Sequence, residues 1–124
     1  MKGEITMALV NGGKLIQKVF EKEGVKYIFG IPGGHIYPMM EACDEAGIKF
    51  IGVRNEMNAA FMAEGWAFAT GKPGVCTGTA GPGATNMVTG VANAYCNQAP
   101  MICVGGKARV SEYESNQLQD FNTM

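Results

Sequence analysis

Short apolar runs with almost no polar interruption recur along the chain, and they constrain its fold more than any other feature. They are rich in β-branched and aromatic residues and cover residues 25–31, 48–53, 74–79 and 100–106. Such runs predict strands that are buried on both faces, as the strands of a parallel sheet are. Amphipathic or alanine-rich segments between them predict helices over residues 12–23, 37–46, 56–70 and 84–98.

The order of these segments predicts the fold class. Strands and helices alternate at roughly 25-residue intervals, the spacing that βαβ units need. We therefore predict an α/β fold, a doubly wound parallel sheet with helices on both faces. Glycines are expected to end the first three helices, at Gly24, Gly47 and Gly71. The polar tail over residues 107–124 carries no predicted element.

Two of the helices have an apolar side that we expect to face the core. In the first helix these residues are Leu15, Ile16, Val19 and Phe20. In the last helix they are Met87, Val88, Val91, Ala92 and Tyr95.

Composition argues against several classes of protein. The chain has 124 residues, 47% of them hydrophobic and 17% charged, which is typical of one globular domain. The net charge is −1 and no basic cluster is visible, so we expect no nucleic-acid partner. The sequence shows neither a signal peptide nor a stretch apolar enough to span a membrane, and a cytoplasmic location is predicted.

The cysteines do not have the spacing of a metal site. They are Cys43, Cys76, Cys96 and Cys103, without a CxxC pair, and His35 is the single histidine. We therefore predict no metal ligands in this chain and interpret the thiols as small buried hydrophobes.

A turn or polar motif follows each predicted strand. These motifs are "PGGH" at 32–35, "RNE" at 54–56, "AGPG" at 80–83 and "GGK" at 105–107. Open parallel sheets bind ligands at the carboxyl ends of their strands. The four motifs are therefore expected on one rim, which we predict to be the functional site.

Each motif also has a plain structural explanation. Glu56 is a favourable acid for the first turn of a helix. His35 could be a satisfied core or capping histidine, and Gln119 an ordinary surface amide. The segment from Gly81 to Asn86 lacks the third glycine of a dinucleotide-binding loop, so a nucleotide site is weakly supported.

Taken together, the motifs are more specific than any one of them. In order they are "GIPGGHI", "RNEMNAAFMAEGWAFATGKPGV", "GTAGPGATN" and "ANAYCNQAPMICVGG". This order resembles the N-terminal pyrimidine-binding domain of thiamine-diphosphate-dependent enzymes of the acetolactate synthase superfamily, over residues 11–124. The family has RHE where this chain has Arg54-Asn55-Glu56, so the middle residue differs and the acid is retained.

The resemblance implies a role for Glu56, namely a hydrogen bond to N1′ of the aminopyrimidine ring of thiamine diphosphate. Sharing a proton there promotes removal of the C2 proton of the thiazolium ring, which then serves as an electron sink. Glu64, further along the same helix, is the weaker candidate. The resemblance also implies cofactor contacts from two loops, through Pro32, Gly33, Gly34, Thr79, Gly81, Pro82, Gly83 and Asn86.

Two further residues resemble a subgroup of the superfamily. "GGHI" is similar to a segment of benzaldehyde lyase and cyclohexanedione hydrolases in which the histidine lies on the substrate side of the cofactor. "SNQLQ" is similar to a benzaldehyde lyase segment whose glutamine lies near the reacting carbon. These likenesses imply that His35 and Gln119 are catalytic and relay a proton.

The resemblance also defines what this chain lacks. The family's diphosphate-binding domain, with a GDG motif and a later Asn pair that hold the diphosphate and Mg²⁺, is absent from residues 1–124. In the family that domain comes from another subunit, and the pyrimidine domain extends further than Met124. We therefore expect an incomplete pyrimidine domain that functions within a homodimer or homotetramer.

Three functions remain open from the sequence. The first is acetolactate-synthase-like chemistry, making or breaking C–C bonds of 2-oxo acids. The second is benzaldehyde-lyase-like cleavage of an acyloin, or hydrolysis of a cyclic dione. The third is a non-catalytic α/β binding module or an inactive fragment.

Overall fold

All the predicted strands are present in the computed structural model, which describes residues 9–112 and residue 119. The first half contains α1 (Gly12–Lys22), β1 (Tyr27–Gly30), α2 (Tyr37–Glu45), β2 (Lys49–Gly52) and α3 (Glu56–Thr70). The second half contains β3 (Gly74–Gly78), α4 (Pro82–Thr85), α5 (Val88–Cys96), β4 (Met101–Gly105) and a 3₁₀ turn at Val110–Glu112.

The strands form one parallel sheet in the order β2-β1-β3-β4. The chain builds outward from β1 to β2, then crosses back over β1 to place β3 on its other side. The strand order therefore reverses between β1 and β3, as the doubly wound prediction requires. The carboxyl ends are level, since Gly30 pairs with Gly52 and Gly78 pairs with Gly105.

Helices cover both faces of the sheet, which confirms the predicted layers. The core on one side joins α1 and α2 to the sheet through Phe20, Ile28, Ile36, Met39, Cys43, Ile48 and Val75. The core on the other side lies under α3 and α5 and contains Phe29, Ala59, Ala60, Ala63, Cys76 and Met87. Neighbouring residues of one strand serve opposite cores, as in Ile28 and Phe29, because side chains alternate along a strand.

Glycine ends the first three helices where the sequence predicts it. Gly24, Gly47 and Gly71 have φ of 72°, 75° and 68°. This left-handed conformation is costly for residues that carry a Cβ.

The predicted helix over residues 84–98 is wrong in its bounds. The structure begins earlier, with α4 at Pro82, and separates α4 from α5 at Asn86 and Met87. Pro82 occupies the first position of α4, where its missing N–H costs no hydrogen bond.

The apolar sides predicted for two helices are also wrong in part. In α1, Leu15 and Val19 are exposed, and the buried residues are Gly13, Gln17 and Phe20. This face is turned toward α2, where a Cβ on Gly13 would collide with the Pro38 backbone. In α5, Val88, Val91 and Tyr95 are exposed and the buried residues are Gly90 and Ala94. In α5 the buried face is the one whose small residues allow close helix packing, and it is not the face with the largest apolar side chains.

The cysteines divide into two groups. Cys43 and Cys76 are buried, as predicted, but Cys96 and Cys103 are exposed because they lie on the outside of α5 and on the edge strand β4. Cys76 and Cys103 are register partners on β3 and β4. The neighbouring Cys103 thiol, and then burial, raise the pKa of the Cys76 thiol above its ordinary range. Within residues 9–112, no helix is long and apolar enough to cross a membrane.

The contact between α3 and α5 generates a stability prediction. A Cβ on Gly90 would lie 2.5 Å from the Ala60 Cβ, while nothing lies within 4 Å of a Cβ on Gly65. Both substitutions to alanine gain helix propensity, about 1 kcal/mol. We expect Gly65→Ala to stabilise the fold and Gly90→Ala to lower the free energy of unfolding by about 1–3 kcal/mol through overpacking. Denaturant unfolding of the two variants checks this, and equal stabilisation by both would contradict the packing.

Candidate functional site

The carboxyl ends of the strands form the predicted rim. Each of the four described strands ends in glycine, and the predicted motifs begin within two residues of these strand ends. The loops after β1 and β3 meet where the strand order reverses, the position at which open α/β sheets bind ligands. There His35 Nδ1 lies 3.0 Å from Thr79 Oγ1, within hydrogen-bonding distance.

Close backbone approach surrounds this His35–Thr79 contact. A Cβ on Gly33 would lie 2.7 Å from the Thr79 Cβ, and a Cβ on Gly106 would lie 2.7 Å from the His35 Cβ. Any larger residue at either glycine would push the loops apart. Gly33 was predicted from the sequence as a site residue, whereas Gly106 was predicted only as part of the "GGK" motif on the rim.

Glu56 is the first residue of α3 and its side chain is buried, 7% exposed. The preceding Asn55 caps the helix, since its side chain accepts a hydrogen bond from the Met57 N–H at 2.9 Å. The Glu56 carboxylate is therefore not needed as a cap. A position in the first turn does favour an acid, but an acid present for that reason alone is normally solvent-exposed.

The partner of the Glu56 carboxylate is an amide from the next glycine-rich loop. Asn86 Nδ2 donates to Glu56 Oε2 at 3.0 Å. Among the described residues, the Glu56 side chain makes this one hydrogen bond, and the Asn86 amide that donates it is uncharged. The second oxygen, Oε1, is left without a partner among these residues.

Glycines pack beside the same carboxylate. A Cβ on Gly83 would lie 3.4 Å from Glu56 Oε1, and a Cβ on Gly78 would lie 3.2 Å from Glu56 Cγ. Gly81 supplies the turn that brings this loop over the carboxylate, with φ 60° and ψ −116°. Only glycine adopts such angles readily. Gly78 was not predicted as a site residue, since the sequence placed it inside the third predicted strand.

The two halves of the rim touch through Thr79. A Cβ on Gly83 would lie 2.9 Å from Thr79 Cγ2, so the Glu56 cluster and the His35 contact are continuous. Glu56, Gly83 and Asn86 therefore form one end of the site, and Gly33, His35 and Thr79 the other.

The remaining predicted residues are less well defined. Pro32 and Gly34 lie in the loop after β1 and Pro82 is the first residue of α4, and all three are exposed. Gln119 has left-handed backbone, φ 65°, and is half-buried, but no recorded contact relates it to Glu56. Its catalytic role stays a prediction.

A basic cleft borders His35 and was only partly indicated by the sequence. Its volume is about 520 Å³ and its lining residues are Gly34, His35, Pro38, Lys107 and Arg109. The "GGK" motif marks Lys107, whereas Arg109 was missed because it lies in the tail without a predicted element.

Comparison with known proteins gives consistent matches over this region. Residues 10–124 match the family described as thiamine pyrophosphate enzyme, N-terminal TPP binding domain. A probable acetolactate synthase large subunit of Methanocaldococcus jannaschii is 40% identical over 115 residues, which are 93% of this chain and 20% of that protein. A 2-hydroxyacyl-CoA lyase 2 of Danio rerio is 40% identical over 114 residues, 92% of this chain and 18% of that protein.

A third relative, acetolactate synthase isozyme 1 large subunit of Escherichia coli, is 39% identical over 113 residues, 90% of this chain and 20% of that protein. The chain spans about a fifth of the length of these curated relatives. The family match covers the described fold and every predicted site residue. The chain therefore belongs to the thiamine pyrophosphate enzymes and carries their N-terminal TPP binding domain.

Proposed function

We propose that this chain supplies the pyrimidine-binding half of an active site that makes or breaks C–C bonds of 2-oxo acids with thiamine diphosphate, as an acetolactate synthase does. The observation that carries the proposal is the buried Glu56 carboxylate, bonded on Oε2 by the Asn86 amide and without a partner on Oε1 among the described residues. Relatives named as acetolactate synthases in an archaeon and in Escherichia coli support the reaction class.

The residues on the rim fit an aminopyrimidine ring. Such a ring needs one acid for a ring nitrogen and a flat surface without side chains. Glu56 is that acid, and glycine at positions 78 and 83 lets the segment after β3 pack directly on the strand end beside its carboxylate. Among the described residues no Lys or Arg pairs with Glu56. This suits a group that shares a proton, because a bound Lys or Arg would favour the ionised carboxylate.

When bound, thiamine diphosphate would supply an electron sink for the carbanion that C–C bond cleavage or formation needs. Glu56 would hold a proton between Oε1 and the pyrimidine N1′. Asn86 would keep the carboxylate oriented through Oε2, and Gly83 would let it approach the ring. These are the binding and proton-holding tasks that we assign to this chain.

His35 and Gln119 are proposed on the substrate side. The contact with Thr79 would select the tautomer and orientation of the His35 ring, leaving Nε2 available for the substrate oxygen. Gln119 would relay a proton on the same side of the cofactor as His35. Lys107 and Arg109 in the adjacent cleft add positive charge, which suits the carboxylate of a 2-oxo acid.

The other half of the site is proposed to come from a diphosphate-binding domain of another subunit. No group of three or more His, Cys, Asp or Glu side chains that could hold a metal ion occurs among the described residues. We therefore assign Mg²⁺ and the diphosphate to that second domain. A homodimer or homotetramer in the cytoplasm is the proposed assembly, and the exposed Val88, Val91 and Tyr95 offer apolar surface for subunit contact.

Acyloin cleavage is the second candidate reaction, with dione hydrolysis as a variant of it. A histidine at position 35, tied to Thr79, favours it, as does the similarity to 2-hydroxyacyl-CoA lyases of Danio rerio and Mus musculus. Turnover of the protein with pyruvate, compared with an aromatic acyloin, would separate the two reactions.

Calorimetric titration of the protein, expressed in full from its native gene, tests the proposal itself. Thiamine diphosphate with Mg²⁺ is expected to bind with one site for each pyrimidine domain. A protein that is folded and assembled but takes up no cofactor would rule out the enzyme function and leave a non-catalytic binding module.

Substitution of Glu56 gives the sharpest prediction. Glu56→Gln keeps the shape and the Asn86 contact but removes the proton site. Turnover should fall about 10²- to 10⁴-fold, the usual contribution of a general acid–base group. The exposed Glu41, changed to Gln, is the matched control and should leave turnover unaltered. Near-normal turnover of Glu56→Gln with cofactor bound would disprove the assignment.

His35 provides a separate prediction. His35→Ala should lower turnover, while stability should change by no more than about 1 kcal/mol, the net contribution of a single hydrogen bond. Thr79→Val removes the same contact and keeps the imidazole, so it should lower turnover less. Steady-state kinetics and thermal unfolding of both variants test this. A large loss of stability with unchanged kinetics would show that His35 is structural.

A further inference from the structure

A second carboxylate is buried on α3, and the proposed chemistry does not use it. Glu64 is 5% exposed. Asn93 Nδ2 donates to both of its oxygens, at 2.9 and 2.7 Å, and Asn97 Nδ2 donates to Oε1 at 2.9 Å. We call this group the Glu64 clamp. Like Glu56, Glu64 is held by amides of a neighbouring segment and has no recorded cation partner in the described ranges.

The two carboxylates lie on the same side of α3 and repeat one arrangement. Glu56 and Glu64 are separated by about 12 Å along the helix at 1.5 Å per residue. Between them Ala60 packs closely on Gly90. A Cβ on Gly90 would lie 2.5 Å from the Ala60 Cβ. The segment from Asn86 to the end of α5 therefore contacts α3 at three positions along the helix. The Glu64 clamp is the position farthest from the rim.

Apolar contacts also hold α5, since Met87 belongs to the core under α3 and Ala94 is buried with Ala67 and Ala99. Its N-cap residue, Met87, makes no side-chain capping bond. Its large apolar residues Val88 and Tyr95 are 59% and 85% exposed, so they do not fasten it to α3 among the described residues. The contact of Ala60 with Gly90 sets how closely α5 approaches α3. Hydrogen bonds to a charged carboxylate are directional and strong, so they can set the register.

A shift of α5 would reach Asn86 directly. Asn86 and Met87 keep helical backbone angles, φ −62° and ψ −22° for the first and φ −78° and ψ −17° for the second. The two residues that separate α4 from α5 therefore form a helical turn, with no extended backbone between the two helices. Movement at Asn93 would be transmitted to the amide that binds Glu56.

We propose that Glu64 is a positioning residue, whose clamp on Asn93 and Asn97 holds α5 in register and keeps the Asn86 amide on the Glu56 carboxylate. The inference rests on the proposed function where it concerns catalysis.

The test uses the protein expressed in full from its native gene and measures exchange of the C2 proton of bound thiamine diphosphate for deuterium. This rate depends on Glu56 and needs no substrate. Glu64→Ala, and separately Asn93→Ala with Asn97→Ala, should slow exchange roughly 10- to 100-fold, as small misplacements of catalytic groups do. The dissociation constant of the cofactor should stay nearly unchanged. Glu64→Gln, whose single amide oxygen can accept from Asn93 and Asn97 at the Oε1 position while its NH2 faces a donor, should restore part of the rate.

A double-mutant cycle decides whether Glu64 acts through Asn86. In an Asn86→Ala background, Glu64→Ala should cause no further slowing, because the amide that it positions is already gone. An equal further loss in that background, or a lower melting temperature with unchanged exchange, would overturn the proposal. Should Glu64→Ala fail to fold, Asn97→Ala, which removes one hydrogen bond of the clamp, takes its place in the cycle.

Crystal structures separate this inference from the proposed function. In Glu64→Ala the distance from Asn86 Nδ2 to Glu56 Oε2 should exceed hydrogen-bonding range, and an unchanged distance would disprove the positioning role. If the wild-type protein binds no thiamine diphosphate, the proposed function fails, and the structures alone still decide whether Glu64 positions Asn86.

Discussion

Close packing of α3 against the sheet and against α5 is the contact on which the site depends. Ala59, Ala60 and Ala63 are 0% exposed, and a Cβ on Gly74 would collide with the Ala63 backbone. Because no large side chain separates α3 from β3, the first turn of the helix starts deep at the strand ends. Glu56 is consequently buried and still faces the rim where the loops converge.

Two buried carboxylates on one helix carry an energetic cost that needs an explanation. Removing a carboxylate from water is unfavourable unless hydrogen bonds replace the hydration. Both acids obtain such bonds from asparagine amides of a single segment, residues 86–97, and neither has a recorded cation partner among the described residues. The polar pairs and the contact of Ala60 with Gly90 make α3 and α5 one unit. The role that we propose for Glu56 at the cofactor would account for the cost of burying this acid.

Much of the fold follows from local patterns. Apolar runs without alternation predicted strands buried on both faces, and the four strands and their parallel pairing are confirmed. Gly24, Gly47 and Gly71 predicted helix ends because positive φ favours glycine. The rim also followed from the sequence, since parallel strands share a carboxyl edge. The buried faces of α1 and α5 could not be predicted in this way, because periodicity records hydrophobicity and not which neighbour a helix approaches.

By itself the sequence determined the alternating α/β order, the glycine-rich loops at the strand ends and the acid at position 56, because these depend on residue type and spacing along the chain. Only the tertiary structure decided that Asn86 binds Glu56, that His35 lies against Thr79 and that Asn93 and Asn97 enclose Glu64. Each of these pairs joins residues 29 to 44 positions apart. Such contacts arise because the chain crosses over β1 and because small residues let the helices pack closely. Neither the crossover nor the packing distance is encoded by a local sequence pattern.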